Sequence, residues 1–369
     1  MKKTIVYLNP DCVTDTDLTV LHCLAKEYHV VWYYIHESKK ANNRITIEQA
    51  ADYANKYGIE FRVKDLKHRF RNPKNFIFYA KIAKEINNIS PDLVFHCQCD
   101  PYWCVAIKFL LRCQKVVLGI HDAQIHSYNM NLSRYLECFS KKLAIKLHCN
   151  FVTFSSGQQK LFKDVYGKDS YMVGMSCKYF GKSELKAPNI SKGVKLLFFG
   201  SINVYKGLDL LISSLEKLRS QNVQNLSLTI AGTGDAWNTC KKLIQTKDMY
   251  NLQVRFIDNN EIPDLMSSHH FLVLPYRDAT QSGPLATAVA YELPVVAPDF
   301  GCFAETYTKD SAILYTQGHL EEALINVSKL TPDNYEFLKA ACKKIKDAYS
   351  EERIAQNYIK CFNELMTKK

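Results

Sequence analysis

Long apolar runs are missing from this chain of 369 residues, and none approaches the ~18 residues that a membrane-crossing helix needs. A helical membrane-spanning protein is therefore not expected. The opening MKKTIVYLNPDC starts like the basic end of a signal peptide, but Pro10 and Asp11 stop its apolar run, so a β-strand is the better fit. Cysteines paired at metal spacing are missing too. The thirteen cysteines are scattered and odd in number; Cys97 and Cys99 are two apart, Cys104 follows, and no paired C-x-x-C sets occur. Zinc modules and disulfide scaffolds are poorly supported, and reduced thiols in a cytoplasm fit better. No short-period repeat, low-complexity segment or nucleic-acid motif is present, so no nucleic-acid partner is expected.

What is present is a soluble globular composition, 47% hydrophobic and 23% charged, in a chain long enough for two domains. Its charge is uneven. Residues 1–180 hold 26 Lys+Arg against 16 Asp+Glu, while the remainder holds 22 against 21, so almost all of the net +11 lies in the first half. The stretches Lys67-His68-Arg69-Phe70-Arg71-Asn72-Pro73-Lys74 and Lys141-Lys142 to Lys146 interleave basic with apolar residues. A solvated helix face explains them. So does attraction to lipid headgroups or to a diphosphate-bearing acceptor.

Apolar runs alternate with helical spacing along the whole chain. Strands are expected at 4–8, 30–35, 93–97, 116–120 and 151–154, then at 194–199, 226–231, 254–257, 271–274, 295–297 and 312–315. Continuous apolar runs suit parallel strands covered on both faces. Leu208, Leu211, Ile212, Leu215 and Leu218 mark one helix between them. Glycines and Pro188 cluster at 174–193, between two complete β/α series. The expected fold class is α/β, with two doubly wound Rossmann-type domains facing a cleft. The expected boundaries are 1–175, 176–348 and a returning C-terminal helix at 349–369.

The segment DATQSGPLATAVAYELPVVAPDFGCFAE, Asp278–Glu305, is a turn, a helix of small residues, a short strand and a second turn ending in an acid. A helix N-terminus beside a strand end offers backbone donors and a favourable dipole to an anion. Thr280, Gln281 and Ser282 add polar groups, and Gly283 allows close approach of a ligand. In LLFFGSINVYKGLDLLISSLEKL, Gly200 turns the chain after a strand and Lys206-Gly207 is expected to begin a helix. An ammonium there suits a pyrophosphate; a surface lysine on a βα loop is the alternative. Gly232 and Gly234 form a G-x-G turn, a weak signal alone. Asp258 falls where a base or ribose could be held, or where a helix needs a cap.

The order G-x-x-x-x-x-KG, TIAGTG, LVLPYRDATQSG and ELPVVAPDFGCFAE resembles family 4 retaining glycosyltransferases of the GT-B fold. The likeness is strongest over 196–305 and is closest to bacterial polysaccharide glycosyltransferases with a T-Q-S-G turn. SEERIAQNYIKCFNEL looks like that family's last helix, and PDLVFHCQCD with KVVLGIHD like its N-terminal strands. The resemblance implies a nucleoside diphosphate sugar donor, a saccharide or polyprenyl-diphosphate-linked acceptor, and cell-surface polysaccharide synthesis. The scattered thiols suit a cytoplasmic location, and the basic first half suits a peripheral place at the inner face of the plasma membrane. His121 would orient the donor sugar as a catalytic residue, with Lys206 stabilising the departing diphosphate; a satisfied turn histidine is the plain alternative for His121. Gly200, Ser201, Asn203, Arg277, Thr287 and Glu305 would join the donor site.

Two departures from the family pattern stand out. The acid–seven residues–acid motif is absent: its second acid falls at Thr287 and its first near Ala279 or Thr280. The arginine usual after the first glycine turn is replaced by Ser201. A catalytically degenerate binding protein and a sugar-nucleotide epimerase are therefore carried as alternatives. Asp15-Thr16-Asp17 is a D-x-D string; a helix N-cap is favoured over a divalent metal, and acceptor contact by Asp15, Asp17 and Asp122 is expected instead. No cofactor or metal is expected, the sugar nucleotide being a substrate.

Overall fold

A computed structural model describes residues 2–37, 45–68, 72–97, 100–123, 132–279 and 281–368. The chain divides into two compact units, Met1–Ser176 with Glu351–Lys369, and Cys177–Ser350. In the first, seven strands lie in one parallel sheet: β1 (Thr4–Pro10), β2 (His29–His36), β3 (Glu60–Asp65), β4 (Leu93–His96), β5 (Val116–Ile120), β6 (Asn150–Thr153) and β7 (Tyr171–Met172). Their order is β3-β2-β1-β4-β5-β6-β7. The second unit has a six-stranded parallel sheet of β8 (Val194–Phe199), β9 (Leu226–Ala231), β10 (Tyr250–Gln253), β11 (Phe271–Val273), β12 (Val295–Pro298) and β13 (Ala312–Tyr315), ordered β10-β9-β8-β11-β12-β13. The doubly wound α/β expectation holds for both.

Each sheet reverses its strand order once, between β1 and β4 and between β8 and β11. Loops leaving the carboxyl ends of strands flanking such a reversal splay apart, and ligands of open α/β sheets bind there. Register fixes the pairs: Ile5 lies opposite Val30 on one side and Leu93 on the other. Leu197 lies opposite Thr229 and Leu272.

The helix Leu208–Ser220 shows why these segments fold as they do. Leu208, Leu211, Ile212, Leu215 and Leu218 recur at helical spacing and are all buried against the second sheet's core. Each such side chain contributes about 1.5–3 kcal/mol on burial. Truncating Leu215 to Ala would cost about 2–5 kcal/mol. The last helix, Glu351–Thr367, belongs to the first unit's core. It buries Ile354, Ala355, Tyr358, Cys361, Phe362 and Leu365 beside Phe95 of β4. Asn357 donates to the Val173 carbonyl at 2.9 Å, and Tyr28 donates to Asn363 at 3.0 Å.

Three local expectations need correction. Residues 254–257 are not a strand; β10 is Tyr250–Gln253, and it ends where the Gln253 carbonyl turns to accept from both Gly232 and Arg255. β3 and β7 were not expected, because EFRVKD alternates charge with apolar residues at a sheet edge and β7 has only two residues. Lys206 does not start a helix. It ends a single 3-10 turn, Val204–Lys206, and the α-helix begins at Leu208 after Gly207.

Candidate active site

The carboxyl ends of β8 and β11 bring one cationic group and one helix N-terminus together in the second unit. The Lys206 side chain is 94% shielded, being 6% exposed, and its ammonium lies 5.4 Å from the centre of the Tyr276 ring. An ammonium over an aromatic face is held by the ring's negative π surface. Gly200 completes the wall: a Cβ built there would lie 3.4 Å from Lys206 Nζ and 3.1 Å from Pro284. Tyr276 OH lies 3.3 Å from Ser282 Oγ, and burial pushes the phenol far above its usual range, so it stays neutral.

Ser282 caps the helix Gly283–Ala290, its hydroxyl accepting from Leu285 N–H at 3.3 Å. Pro284 at the second helical position has no N–H to satisfy. Open space lies beside Gly283, where an added Cβ would meet nothing within 4 Å. A buried ammonium, a helix dipole and room at its first residue form a place for an anion. With water excluded, the Lys206 charge acts through a lower dielectric and attracts a diphosphate more strongly than a surface lysine would.

The loop carrying Lys206 is braced from both sides. Gly200 N–H donates to the Ala231 carbonyl and Ile202 N–H to the Thr233 carbonyl, both at 2.9 Å. Gly232 has φ +140°, and any Cβ there would overlap the Gly200 carbonyl; one on Gly234 would overlap the Ile202 backbone. Both glycines therefore serve close packing of the β8 and β9 loops. Ser201 is exposed, and Asn203 donates to its hydroxyl at 3.3 Å, so these two sit on the outer part of the same loop.

The other nominated residues of this unit lie around the same loops. Arg277 was expected at the pyrophosphate, yet it forms a two-pronged pair with Asp209 at 2.9 and 2.6 Å and donates to the Val204 carbonyl at 2.6 Å. Burial alone would raise the Asp209 carboxyl, but Arg277 holds it below its usual value. Arg277 is thus a brace between its own loop and the segment 204–209. Thr287 is buried, with its hydroxyl donating to the Gly283 carbonyl at 3.1 Å. Glu305 is exposed on the short helix Gly301–Thr306. Asp258 is exposed in the turn after β10, its N–H donating to Glu261 at 3.1 Å. Gln281 is half-buried beside Ser282, and Thr280 lies outside the described residues.

In the first unit the crossover between β1 and β4 is lined by carboxylates. Asp17 is buried and accepts from Tyr7 OH at 3.0 Å and Asn9 Nδ2 at 2.8 Å, so it holds the first turn of the helix Thr14–Glu27 rather than facing an acceptor. Asp15 is half-exposed in the same first turn. Asn9 Oδ1 in turn accepts from Cys97 N–H at 2.7 Å, tying β1 to β4. Asp11 accepts from His36 and from Glu37 N–H, at 3.0 and 2.9 Å. Asp100 caps the helix Pro101–Leu110, and burial pushes its carboxyl up to about 7. His121 follows β5, half-exposed, its ring stacked on Phe154 at 4.3 Å. The Asp122 carbonyl accepts from Lys141 at 2.7 Å.

Tyr276, Asn9, Asp11 and Asp100 were not anticipated as site residues. Tyr276 directly precedes Arg277 in PYR at a strand end, and Asp11 and Asp100 follow β1 and β4; their positions at strand ends are the signal that could have found them. A cavity of about 500 Å³ lies elsewhere on the second unit, walled by Lys195, Ser227, Thr229, Tyr250, Asp264 and His269. Its walls include the first half of β9 rather than the carboxyl ends of β8 and β11, so the anion chemistry does not coincide with it.

Comparison with known proteins agrees with this geometry. Residues 193–350 match the family model described as Glycosyl transferases group 1. No curated protein matches the chain by sequence. Among solved structures, a glycosyltransferase from Rickettsia africae ESF-5 superposes with TM-score 0.73 at 16% identity, covering 100% of each chain. Sucrose-phosphate synthase from Thermosynechococcus elongatus gives 0.72 at 12% identity, covering 99% of each. The catalytic domain of starch synthase IV from Arabidopsis thaliana, bound to ADP and acarbose, gives 0.69 at 10%, covering 100% of each. That family match falls within the second unit, and the chain as a whole has the GT-B fold that its motifs led one to expect.

Proposed function

We propose that this chain is a retaining glycosyltransferase that moves a sugar from a nucleoside diphosphate sugar to a saccharide or polyprenyl-diphosphate-linked acceptor in cell-surface polysaccharide synthesis. The observation that carries the donor half is the buried Lys206 ammonium beside the N-terminus of the helix Gly283–Ala290. A glycosyl donor already has a good leaving group. What the protein must supply is charge stabilisation of the departing diphosphate and positioning of the acceptor. Lys206, Tyr276 and the first-turn donors supply the former from preorganised positions. His121 is the residue nominated to orient the donor sugar, and its stacking on Phe154 fixes the ring plane. The starch synthase structure holds ADP and acarbose, which supports a nucleotide and a saccharide as the kinds of ligand.

The membrane part rests on the outer helices of the first unit. Ile77, Phe109, Tyr135 and Phe139 are exposed on the helices Lys74–Ile89, Pro101–Leu110 and Leu132–Leu147. Lys74, Lys81, Lys108, Lys141 and Lys142 lie on the same helices. Aromatics flanked by lysines suit an anionic lipid surface. No helix among the described residues is long and apolar enough to cross a membrane.

A second reading is favoured by one observation. Thr287 stands where the resembled family has its ribose-binding acid, and its hydroxyl is already bonded to Gly283. A chain that binds nucleotide without turnover would follow. Calorimetric titration with UDP, GDP, ADP and CMP, on the parent and on Lys206→Ala, tests the donor site. One diphosphate should bind, with most affinity lost in the variant. Sugar transfer from the matching sugar nucleotide then separates enzyme from binder, and no binding at all by the parent would overturn the donor site.

A further inference from the structure

Inside the first unit, the middle of the helix Thr14–Glu27 meets the first turn of the helix Glu351–Thr367. His22 Nε2 lies 3.2 Å from Cys23 Sγ and 3.5 Å from Glu351 Oε2. His22, Cys23 and Glu352 each offer a ligand atom, and these atoms lie within 4.8 Å of one another. The opposite ring nitrogen faces the Leu18 carbonyl at 3.3 Å and the Tyr53 hydroxyl at 3.1 Å. Tyr53 gives its own proton to the Leu18 carbonyl, so its oxygen is an acceptor. A nitrogen facing two acceptors carries the ring proton. The Nε2 lone pair is thereby turned toward Cys23 and Glu351, the arrangement that second-sphere carbonyls impose on metal-binding histidines.

The His22–Cys23 and His22–Glu351 separations are close to those around one ion. Tetrahedral zinc with ordinary bond lengths spaces a thiolate and an imidazole nitrogen about 3.6 Å apart, and a nitrogen and a carboxylate oxygen about 3.4 Å apart. We propose that His22, Cys23 and Glu352, with Glu351 completing the set, bind one Zn²⁺ that fastens the start of the last helix to the helix Thr14–Glu27. On binding, the Cys23 thiol releases its proton to solvent and the thiolate becomes the ligand. A divalent charge also offsets two adjacent carboxylates. Glu351 is the first residue of the chain after the second unit ends at Ser350, so the ion would fix the point of re-entry.

Titration of the full chain with Co²⁺ tests this, because a tetrahedral cobalt thiolate absorbs in the near ultraviolet and strongly in the visible. The bands should saturate at one equivalent and be displaced by Zn²⁺. Cys23→Ser should abolish the near-ultraviolet band. Glu352→Gln, on an exposed residue that folding tolerates, should weaken binding about tenfold or more. Cys12→Ser and Cys149→Ser, both at exposed positions, should leave the bands unchanged. Zn²⁺ should raise the unfolding temperature of the parent and not of Cys23→Ser. A band that survives Cys23→Ser, or no saturable binding at micromolar Co²⁺, would overturn the proposal and leave an S–H···N hydrogen bond beside a His–Glu contact.

Discussion

Replacing Gly232 by Ala separates backbone strain from steric overlap, because the chain contains its own control. Gly232 has φ +140°, a conformation essentially confined to glycine, and an added Cβ would overlap the Gly200 carbonyl oxygen, with the carbonyl carbon at 2.8 Å and the amide nitrogen at 3.2 Å. The obstacle is backbone, so no side chain can swing aside. Strain of about 1–3 kcal/mol adds to overpacking of about 1–3 kcal/mol, giving about 2–6 kcal/mol. Gly58 has φ +66° and nothing within 4 Å of an added Cβ, so Gly58→Ala carries left-handed strain alone, about 1–2 kcal/mol. Amide hydrogen exchange reads both variants locally. Protection in β8 and β9 should fall at least ~30-fold in Gly232→Ala. Protection around β3 should fall by ~5–30-fold in Gly58→Ala. Gly200 also borders the Lys206 ammonium, so Gly232→Ala should weaken diphosphate binding while Gly58→Ala should not. Equal losses of protection in the two variants would refute the overlap argument.

Two further outcomes follow from the described contacts. Asp100 has its carboxyl raised to about 7 by burial, so the folded chain holds a proton that the unfolded chain gives up near pH 4; ionisation therefore costs stability as pH rises from 4 to 7. Asp100→Asn keeps the Oδ1 cap on Tyr102 and Trp103 and removes that cost, so its advantage in urea unfolding should be nil below pH 4 and grow toward an upper limit of about 4 kcal/mol above pH 7; an advantage independent of pH would sink the assignment. Arg277→Ala should lower the stability of the second unit by about 1.5–3 kcal/mol through its lost bonds to Asp209 and Val204, while calorimetry finds diphosphate affinity close to the parent's. A loss of affinity as large as that of Lys206→Ala, at unchanged stability, would return Arg277 to the ligand.

How much of this was legible in the sequence depended on how local each cause was. β1 and β5 carry near-continuous apolar runs buried on both faces, and such a run needs no partner to be recognised. β3 escaped because an edge strand exposes one side, so Arg62 and Lys64 interrupt its apolar residues. At 250–257 the sequence misled: VRFI has the better strand residues, yet YNLQ pairs with β9 and the chain turns at Gln253. Lys206 was identifiable as a cation in a βα loop, but its burial over Tyr276 is tertiary. Arg277 reads as an anion ligand in any sequence, since the Asp209 that neutralises it stands 68 residues earlier. Asp17 read as available to an acceptor because Tyr7 and Asn9, which share its carboxylate, sit on another element.

The same strand order does opposite things in the two units, which changes the meaning of the uneven charge. At the β8/β11 reversal the loops present Lys206 and a helix N-terminus. At the β1/β4 reversal they present buried Asp11, Asp17 and Asp100, although the first half of the chain carries nearly all the net positive charge. The basic surplus of the first unit is therefore not gathered at the buried core of its strand reversal. Among the described residues, much of it lies on the outer helices Lys74–Ile89, Pro101–Leu110 and Leu132–Leu147, beside exposed Ile77, Phe109 and Phe139. Charge on an outer face acts through water and is screened within about 8–10 Å at physiological salt. Association with anionic vesicles should accordingly weaken steeply with added salt. Binding of a diphosphate at the shielded Lys206 should weaken far less, so salt alone distinguishes the two basic features of one chain.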